Sequence, residues 1–271
     1  MASLALSVSV SPPTATSPAP SLAPSLAPTP MVEVRGLAKR FGRTEVLRDV
    51  DLAVRRGRVT AVVGPNGAGK TTLIKTVLGL TRADGGHVSV DGHEIGRGDA
   101  AYRAQIGYMP QIARFPENLS AADLIAMLRD LRRAHGAEAR TDDELIERFA
   151  LGDQLAKPLR TLSGGTRQKV NAVLAFLFDP ALLILDEPTA GLDPMSSSIL
   201  KDKVLAERAA GKTFILTSHI MSELEELADD VAFLLDGRVR FAGPVEELKR
   251  ATRQTSLERA IAQLMRAGAV A

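Results

Sequence analysis

The sequence of 271 residues has no cysteine and no tryptophan, and aromatic residues make up only 4% of it. The absence of cysteine excludes disulfide bonds and cysteine-ligated metal centres, and it is typical of proteins from a reducing compartment. No apolar run approaches the roughly 20 residues that a membrane-spanning helix requires, so we expect the chain not to cross a membrane by itself. Charge of one sign is not in excess, because 34 Lys and Arg residues balance 32 Asp and Glu residues. A basic footprint is lacking, and we expect no nucleic-acid partner.

Residues 1–30 also lack charged side chains and are rich in Pro, Ser and Ala. Such a composition cannot bury enough apolar surface to form a core, so we expect a disordered leader. A signal peptide over residues 1–10 is the functional alternative, but this segment has no basic start and serines interrupt its apolar part. Met31 directly precedes the first predicted strand, which makes it an alternative start of translation.

A glycine-rich stretch follows a short apolar, β-branched run at residues 59–63. The stretch fits the pattern G-x-x-x-x-G-K-[ST], and apolar residues at helical spacing come after it. Strand, glycine loop and helix is the order that phosphate binding requires, because backbone N–H groups then face the anion at the helix start. A glycine-rich turn without a ligand is the alternative. The predicted ATP-binding residues are Gly64, Pro65, Asn66, Gly67, Ala68, Gly69, Lys70, Thr71 and Thr72.

Two of these residues have specific predicted roles. Lys70 is expected to reach the β- and γ-phosphates, and the Thr71 hydroxyl is expected to bind Mg²⁺. A pair of acids supports the predicted binding of Mg²⁺ and phosphate, because the apolar run at residues 181–185 is followed by Asp186 and Glu187. Asp186 suits the role of an Mg²⁺ ligand, and Glu187 suits that of the general base that activates water. The alternative is a pair of solvent-facing acids at a strand end.

A serine and two glycines ahead of another apolar helix predict a second helix N-terminus that binds an anion. One nucleotide does not need two such sites within one subunit. We therefore infer that this motif binds the γ-phosphate held by another copy of the protein. Its predicted residues are Leu162, Ser163, Gly164, Gly165 and Gln168.

The remaining pattern predicts the fold class. Alternating residues at 32–35 and 50–54 indicate half-buried strands, whereas continuous apolar runs indicate strands of a parallel sheet. Ser120 and Asp123 form a candidate capping box that opens a helical stretch. Asp91 and Gly92 form a candidate hairpin turn after the strand at residues 87–90. We predict an α/β phosphate-loop NTPase core with a mostly parallel sheet, an N-terminal antiparallel β subdomain and an inserted α-helical subdomain. The continuous runs are residues 181–185, 213–217 and 231–235.

Over about residues 32–243, the sequence resembles the nucleotide-binding subunits of ATP-binding-cassette (ABC) transporters. The stretch Leu-Ser-Gly-Gly-Thr-Arg-Gln at residues 162–168 is similar to their signature motif, and the other motifs occur in the same order. The resemblance implies four further roles: Mg²⁺ and membrane-subunit contact at the Q-loop, a D-loop acid that acts across a dimer, a switch histidine, and an aromatic ring on adenine. The corresponding residues are Gln111, Asp193, His219 and Phe41, the last where the family more often has tyrosine.

The resemblance also implies how the protein is organised and what it binds. The ABC ATPase domain would span residues 31–245, with the helical subdomain at about 97–160 and a C-terminal helical extension at 246–271. Two copies, or one copy and a paralogous subunit, would form two composite sites for ATP and Mg²⁺. ATP binding would close this dimer, and hydrolysis would reopen it. An integral-membrane permease would hold the protein peripherally at the cytoplasmic face of the inner membrane.

A finer resemblance concerns the cargo. Residues 106–118, 168–172 and 217–224 are similar to the ATPase subunit of the bacterial system that supports assembly of the copper centres of nitrous-oxide reductase. This implies a permease for a copper or sulfur species, while His87 and His93 are expected to be surface residues rather than copper ligands. ATPases of multidrug or lipid exporters are the alternative. A soluble ABC ATPase is a further alternative, disfavoured because the chain lacks a second cassette and a long coiled coil.

Overall fold

The computed structural model describes residues 29–96, 101–134 and 141–268 of the chain. The predicted leader, except for Thr29 and Pro30, and the end of the predicted C-terminal extension lie outside the described residues. The strands are β1 (Val32–Phe41), β2 (Thr44–Val54), β3 (Val59–Val63), β4 (Gly85–Val90), β5 (His93–Glu94), β6 (Ile106–Met109), β7 (Leu182–Asp186), β8 (Thr213–Thr217), β9 (Asp230–Leu235) and β10 (Arg238–Pro244). The helices are α1 (Lys70–Val77), α2 (Ala121–Ala134), α3 (Glu144–Arg148), α4 (Gly164–Phe176), α5 (Pro194–Ala209), α6 (Met221–Leu227), α7 (Val245–Thr252) and α8 (Leu257–Gly268).

Two sheets organise the described residues. The first is antiparallel, with the strand order β2-β1-β4-β5, and it forms the predicted N-terminal β subdomain. The second has the order β10-β9-β3-β8-β7-β6, and its strands are parallel except for the β9–β10 pair. Every residue of β3, β7 and β8 is buried, as expected for central strands covered on both faces. The predicted α/β fold class is confirmed.

The six-stranded sheet separates two apolar cores, because successive side chains of a strand point to opposite faces. Along β7, Leu182 and Ile184 join a core with α1 and the antiparallel sheet. Leu183 and Leu185 instead join a core with the helices on the other face, from α2 to α8. The ends of the parallel strands are therefore held rigidly between two layers, and the candidate site lies at these ends.

Several local predictions are confirmed. Ser120 and Asp123 form the capping box ahead of α2, since the Ser120 N–H donates to Asp123 Oδ2 at 2.9 Å and the Asp123 N–H donates to Ser120 Oγ at 3.1 Å. Asp91 and Gly92 turn β4 into β5 with φ angles of 50° and 78°. Positive φ at both central residues is the mark of a type I′ hairpin turn.

One strand lies within the range predicted to be a helical insertion. Residues 106–109 form β6, which pairs in parallel with β7 at the edge of the core sheet. Packing requires a glycine at position 107, because a Cβ there would lie only 2.0 Å from the carbonyl oxygen of Ala175 in α4. The strand is four residues long, too short to give a periodic signal in the sequence.

The last helices pack on the domain that precedes them. Leu257 and Ile261 are buried in the helical-side core, and Leu264 and Met265 are half-buried against it. The Leu257 N–H donates to Glu225 of α6 at 3.4 Å. Among the described helices, none is long and apolar enough to cross a bilayer.

Candidate nucleotide-binding site

The phosphate loop (residues 64–72) connects the buried end of β3 to α1, and two of its glycines are sterically required. A Cβ on Gly64 would lie 2.1 Å from the carbonyl oxygen of Leu234 in β9. Gly69 has a φ of 108°, and a Cβ there would lie 2.7 Å from the Leu47 side chain. The loop backbone therefore passes against β9 and β2 more closely than any other residue type allows. This leaves a cradle of backbone groups open to a ligand.

Lys70 begins α1 and its side chain folds back over the loop. Its ammonium donates to the carbonyl oxygens of Gly64, at 2.7 Å, and Pro65, at 3.1 Å. Burial lowers the pKa of Lys70, and the nearby negative charges of Glu187 and Asp186 oppose this effect. A cation enclosed by a loop of backbone N–H groups fits a phosphate, which would supply the opposite charge.

A single cleft brings together residues that lie far apart in the sequence. Besides the phosphate loop, it is lined by Gln111, Asp186, Glu187 and His219, all predicted site residues. Val46 also lines it and was not predicted, because nothing in the sequence distinguishes this half-buried strand valine. The acids and the histidine come from the carboxyl ends of β7 and β8, where open α/β sheets bind ligands.

Glu187 has an unusual backbone and a direct partner. Its φ is 51°, in the left-handed region that a residue with a Cβ seldom adopts. Its carboxylate Oε1 lies 2.7 Å from Nε2 of His219. The histidine is therefore positioned to hold the carboxylate of the proposed general base.

The oxygen donors around the loop fit Mg²⁺, a hard cation that prefers carboxylate, hydroxyl and amide oxygens. Asp186 is only 7% exposed, so a cation is a fitting counter-charge for its carboxylate. Thr71 and Gln111 line the same cleft and carry the hydroxyl and amide oxygens that would complete the set. Together with Lys70, these groups fit the Mg²⁺ complex of a nucleotide phosphate.

Phe41 lies at the end of β1 and is not among the residues that line this cleft. Its side chain is 53% exposed, and the Lys39 ammonium lies 5.2 Å from its ring centroid. The ring is accessible to a flat ligand, in keeping with the predicted contact to adenine.

The signature motif forms the predicted helix start at α4. Ser163 is the N-cap, and its hydroxyl oxygen accepts the Thr166 N–H at 3.1 Å. A Cβ on Gly165 would lie 3.1 Å from the carbonyl oxygen of Gly191 in the D-loop, so this helix start packs closely on that loop. Among the described residues that line the phosphate-loop cleft, none belongs to the signature motif. The two predicted anion sites are therefore separate within one chain.

Polar side chains of α4 form hydrogen bonds with the segments next to Gln111 and Glu187. Gln168 is 6% exposed and donates to the Pro188 carbonyl oxygen at 3.5 Å. Asn171 donates to the carbonyl oxygen of Pro110, next to Gln111, at 2.8 Å. Sequence reasoning assigned no role to Asn171, because its partner is distant in the chain.

The D-loop residue Asp193 caps α5. Its carboxylate accepts the N–H of Ser196 at 2.9 Å and that residue's hydroxyl proton, and it lies 3.2 Å from the Lys169 ammonium of α4. Hydrogen bonds from Ser196 and then Lys169 hold the pKa of Asp193 well below its usual range. Asp193 is therefore charged at neutral pH and ties the D-loop to the signature helix.

The fold and the cleft define a nucleotide-binding protein of the phosphate-loop class, with acids and a histidine at the strand ends. Residues 47–190 match the family model described as ABC transporter. The chain belongs to this family, as one of its ATP-binding proteins. It is an ATPase, since hydrolysis of ATP is characteristic of the family.

Relatives agree with this assignment. The daunorubicin resistance ATP-binding protein DrrA3 of Streptomyces coeruleorubidus is 38% identical over 222 residues, 82% of this chain and 70% of the relative. The Nod factor export ATP-binding protein I of Azorhizobium caulinodans is 38% identical over 210 residues, 77% of this chain and 66% of the relative. A solved ATP-binding subunit of an ABC transporter has a TM-score of 0.80 and 32% identity, covering 87% of this chain and 99% of its own.

Proposed function

We propose that this protein is the ATP-hydrolysing subunit of an ABC exporter and that it works as a dimer. The dimer proposal rests on one observation. The cleft around the phosphate loop contains the groups for hydrolysis, while the start of the signature helix lies outside this cleft. A second copy or a paralogous subunit supplies Ser163 and its neighbouring backbone N–H groups to the γ-phosphate. Each site is then complete only in the closed dimer.

The residues of the cleft divide the chemistry among them. The loop N–H groups and Lys70 hold the β- and γ-phosphates, and Thr71, Gln111 and Asp186 are the groups that would hold Mg²⁺. The metal ion would neutralise charge that develops on the phosphate oxygens. Glu187 orients the attacking water and accepts its proton, a contribution of about 10²- to 10⁴-fold for general base catalysis. His219 keeps the Glu187 carboxylate in place.

Replacing Glu187 with Gln tests the composite site. The amide keeps the shape of the side chain but cannot accept the proton, so E187Q should bind ATP without turning it over. The expected result is a dimer with ATP at gel filtration and a monomer without it. An E187Q protein that stays monomeric at saturating ATP and Mg²⁺ would refute the dimer proposal.

The transport partner is proposed from the relatives. The two relatives named above are described as proteins of daunorubicin resistance and of Nod factor export. The lantibiotic transport ATP-binding protein SrtF of Streptococcus pyogenes is 32% identical over 77% of this chain. We propose that this chain likewise drives an integral-membrane permease, held at the cytoplasmic face of the cell membrane. A groove between Gln111–Phe115 of the Q-loop region and Arg167 of α4 is the proposed contact with that permease.

A second candidate cargo rests on the three stretches that resemble the ATPase subunit of nitrous-oxide reductase maturation. In that case the permease would handle a copper or sulfur species, and this subunit would not bind it. His87 is exposed, and its Nδ1 lies 3.1 Å from Glu94 of the same hairpin. Both observations support a surface residue rather than a copper ligand.

Affinity capture of the tagged protein from its own membranes distinguishes the two cargo systems. Recovery of a permease together with nitrous-oxide reductase maturation proteins would support the copper-centre system. A permease of another exporter would discard that system and keep the transport function. Recovery of ribosomes or DNA without a membrane protein would contradict the transport function and leave the ATPase standing.

A further inference from the structure

We propose that Thr217 is a positioning residue that holds both carboxylates of the ATPase site, an inference that rests on the site proposed above. Thr217 ends β8 and pairs in register with Asp186 at the end of β7. Its side chain is among the most buried polar groups of the described residues, at 1% exposure. It lies two positions before His219, so one short segment carries this hydroxyl and the histidine.

The hydrogen bonds of Thr217 have a fixed direction. The Glu187 N–H donates to the Thr217 hydroxyl oxygen at 3.1 Å and to the Thr217 carbonyl oxygen at 3.0 Å. A backbone N–H is only a donor, so the hydroxyl oxygen accepts on this side. Its single proton is then donated to Oδ1 of Asp186. One side chain therefore contacts the carboxylate of Asp186, in a buried hydrogen bond, and the backbone of Glu187, in a partly buried one.

The contact with Asp186 fixes the carboxylate that would bind Mg²⁺. A carboxylate can rotate about its terminal bond, and a donor on one oxygen restricts that rotation. The remaining oxygen then meets a cation in a defined place. Partners behind a metal ligand typically change metal affinity or activity by about 10- to 100-fold when removed.

The contact with Glu187 fixes a backbone that is otherwise unfavourable. The left-handed φ of 51° persists only where neighbouring groups hold it, and both oxygen acceptors for this N–H belong to Thr217. This conformation presents the Glu187 carboxylate to His219 at 2.7 Å. Loss of the hydroxyl would loosen the general base as well as the metal ligand.

The same strand offers a control. Thr213 begins β8, is also 1% exposed, and accepts the Gly57 N–H at 3.0 Å with its hydroxyl oxygen. It is thus a buried strand threonine whose hydroxyl accepts a structural hydrogen bond, at the end of β8 opposite to the site. Comparing T217V with T213V separates the loss of a buried hydroxyl from an effect on catalysis.

The experiment compares T217V, T217S and T213V in the full chain. The readouts are the kcat and KM for ATP, the Mg²⁺ concentration that gives half-maximal turnover, and equilibrium binding of a fluorescent ATP analogue with and without Mg²⁺. For T217V we expect analogue binding without Mg²⁺ to be unchanged, half-saturation to require about tenfold more Mg²⁺, and kcat to fall about 10- to 100-fold. T217S, which keeps the hydroxyl, should stay close to the unchanged protein.

Each other outcome is decisive. If T217V behaves like T213V in kcat and in Mg²⁺ dependence, or if T217S is as impaired as T217V, the hydroxyl is not a positioning group. Should T217V fail to fold by circular dichroism, T217A is judged by the same criteria. If the unchanged protein binds the analogue but does not hydrolyse ATP under any Mg²⁺ concentration, the proposed function fails instead, whatever Thr217 does.

Discussion

Lys70, the residue proposed to bind the nucleotide phosphates, allows a test at the level of one side chain. Its ammonium donates to two loop carbonyl oxygens, and a nucleotide phosphate would offer a stronger, charge-assisted partner in the same place. We expect K70M to weaken binding of a fluorescent ATP analogue by at least about tenfold, the loss of one hydrogen bond to a charged group. K75M is the control, because Lys75 is exposed at the last turn of the same helix. Equal affinities for the two variants would remove Lys70 from the site.

Phe41 permits a second test at the level of one residue. Its ring is half-exposed, and stacking of a base on an aromatic ring contributes about 1–3 kcal/mol. F41A should raise the Kd for ATP about 5- to 150-fold, whereas F41Y should leave it unchanged because the ring remains. L80A removes an apolar side chain of similar exposure elsewhere and should have no effect. A Kd that F41A does not change would place adenine on another surface.

At the scale of elements, α4 should contribute to the dimer but not to ATP binding by its own chain. Its N-terminal Ser163 lies outside the phosphate-loop cleft. We therefore expect S163R, combined with E187Q, to bind the ATP analogue with unchanged affinity and to remain monomeric at gel filtration with ATP. T255R, between α7 and α8 and exposed, adds the same side chain away from the proposed interface. Loss of ATP binding in S163R would mean that the signature motif serves its own chain.

The elements also show where sequence reasoning succeeds and where it stops. Buried strands, the Ser120–Asp123 capping box and the Asp91–Gly92 turn were predictable, because each depends on neighbouring residues. Strand β6 was not, since four residues give no period and Gly107 is required by a distant carbonyl of α4. In the site, motif residues could be named from local patterns. Thr217 and Asn171 act through partners 31 and 61 residues away, which no local pattern records.

At the scale of the whole molecule, a buried lysine connects the helical insertion to the core. Lys203 of α5 is 3% exposed, and its ammonium lies 2.6 Å from Asp142, 2.6 Å from Glu144 and 2.7 Å from Glu207. These three acids are close enough to hold a metal ion, but the lysine already occupies the space between them. Burial lowers the pKa of Lys203, and the three hydrogen-bonded carboxylates outweigh burial, so that the pKa is raised.

Replacing this lysine should therefore destabilise the whole domain. K203M removes a buried ammonium from three carboxylates, of which Glu144 keeps Arg148 and Glu207 keeps Lys212 as partners. We expect a loss of about 3 kcal/mol in the free energy of unfolding, the lower end for a broken buried pair. Lys201 of the same helix pairs with Glu226 near the surface, so K201M should cost less than about 1 kcal/mol. Urea denaturation of both variants measures the difference. A K203M protein as stable as K201M would show that the cluster contributes little.

The stability lost in K203M should depend on pH, because Lys203 acts through the carboxylates around it. Burial raises the pKa of Asp142, but hydrogen bonds from Lys203 and from the Glu144 N–H outweigh burial, so the pKa of Asp142 is lowered. A hydrogen bond from Lys203 likewise lowers the pKa of Glu144. Acids with lowered folded pKa values contribute stability above their ordinary values near pH 4, and this contribution is lost as the pH falls through the folded values. The gap between K203M and the unchanged protein should thus be full at pH 7 and shrink below about pH 4. A gap that is the same at pH 3.5 and pH 7 would mean that Lys203 stabilises the domain through packing of its chain and not through its charge.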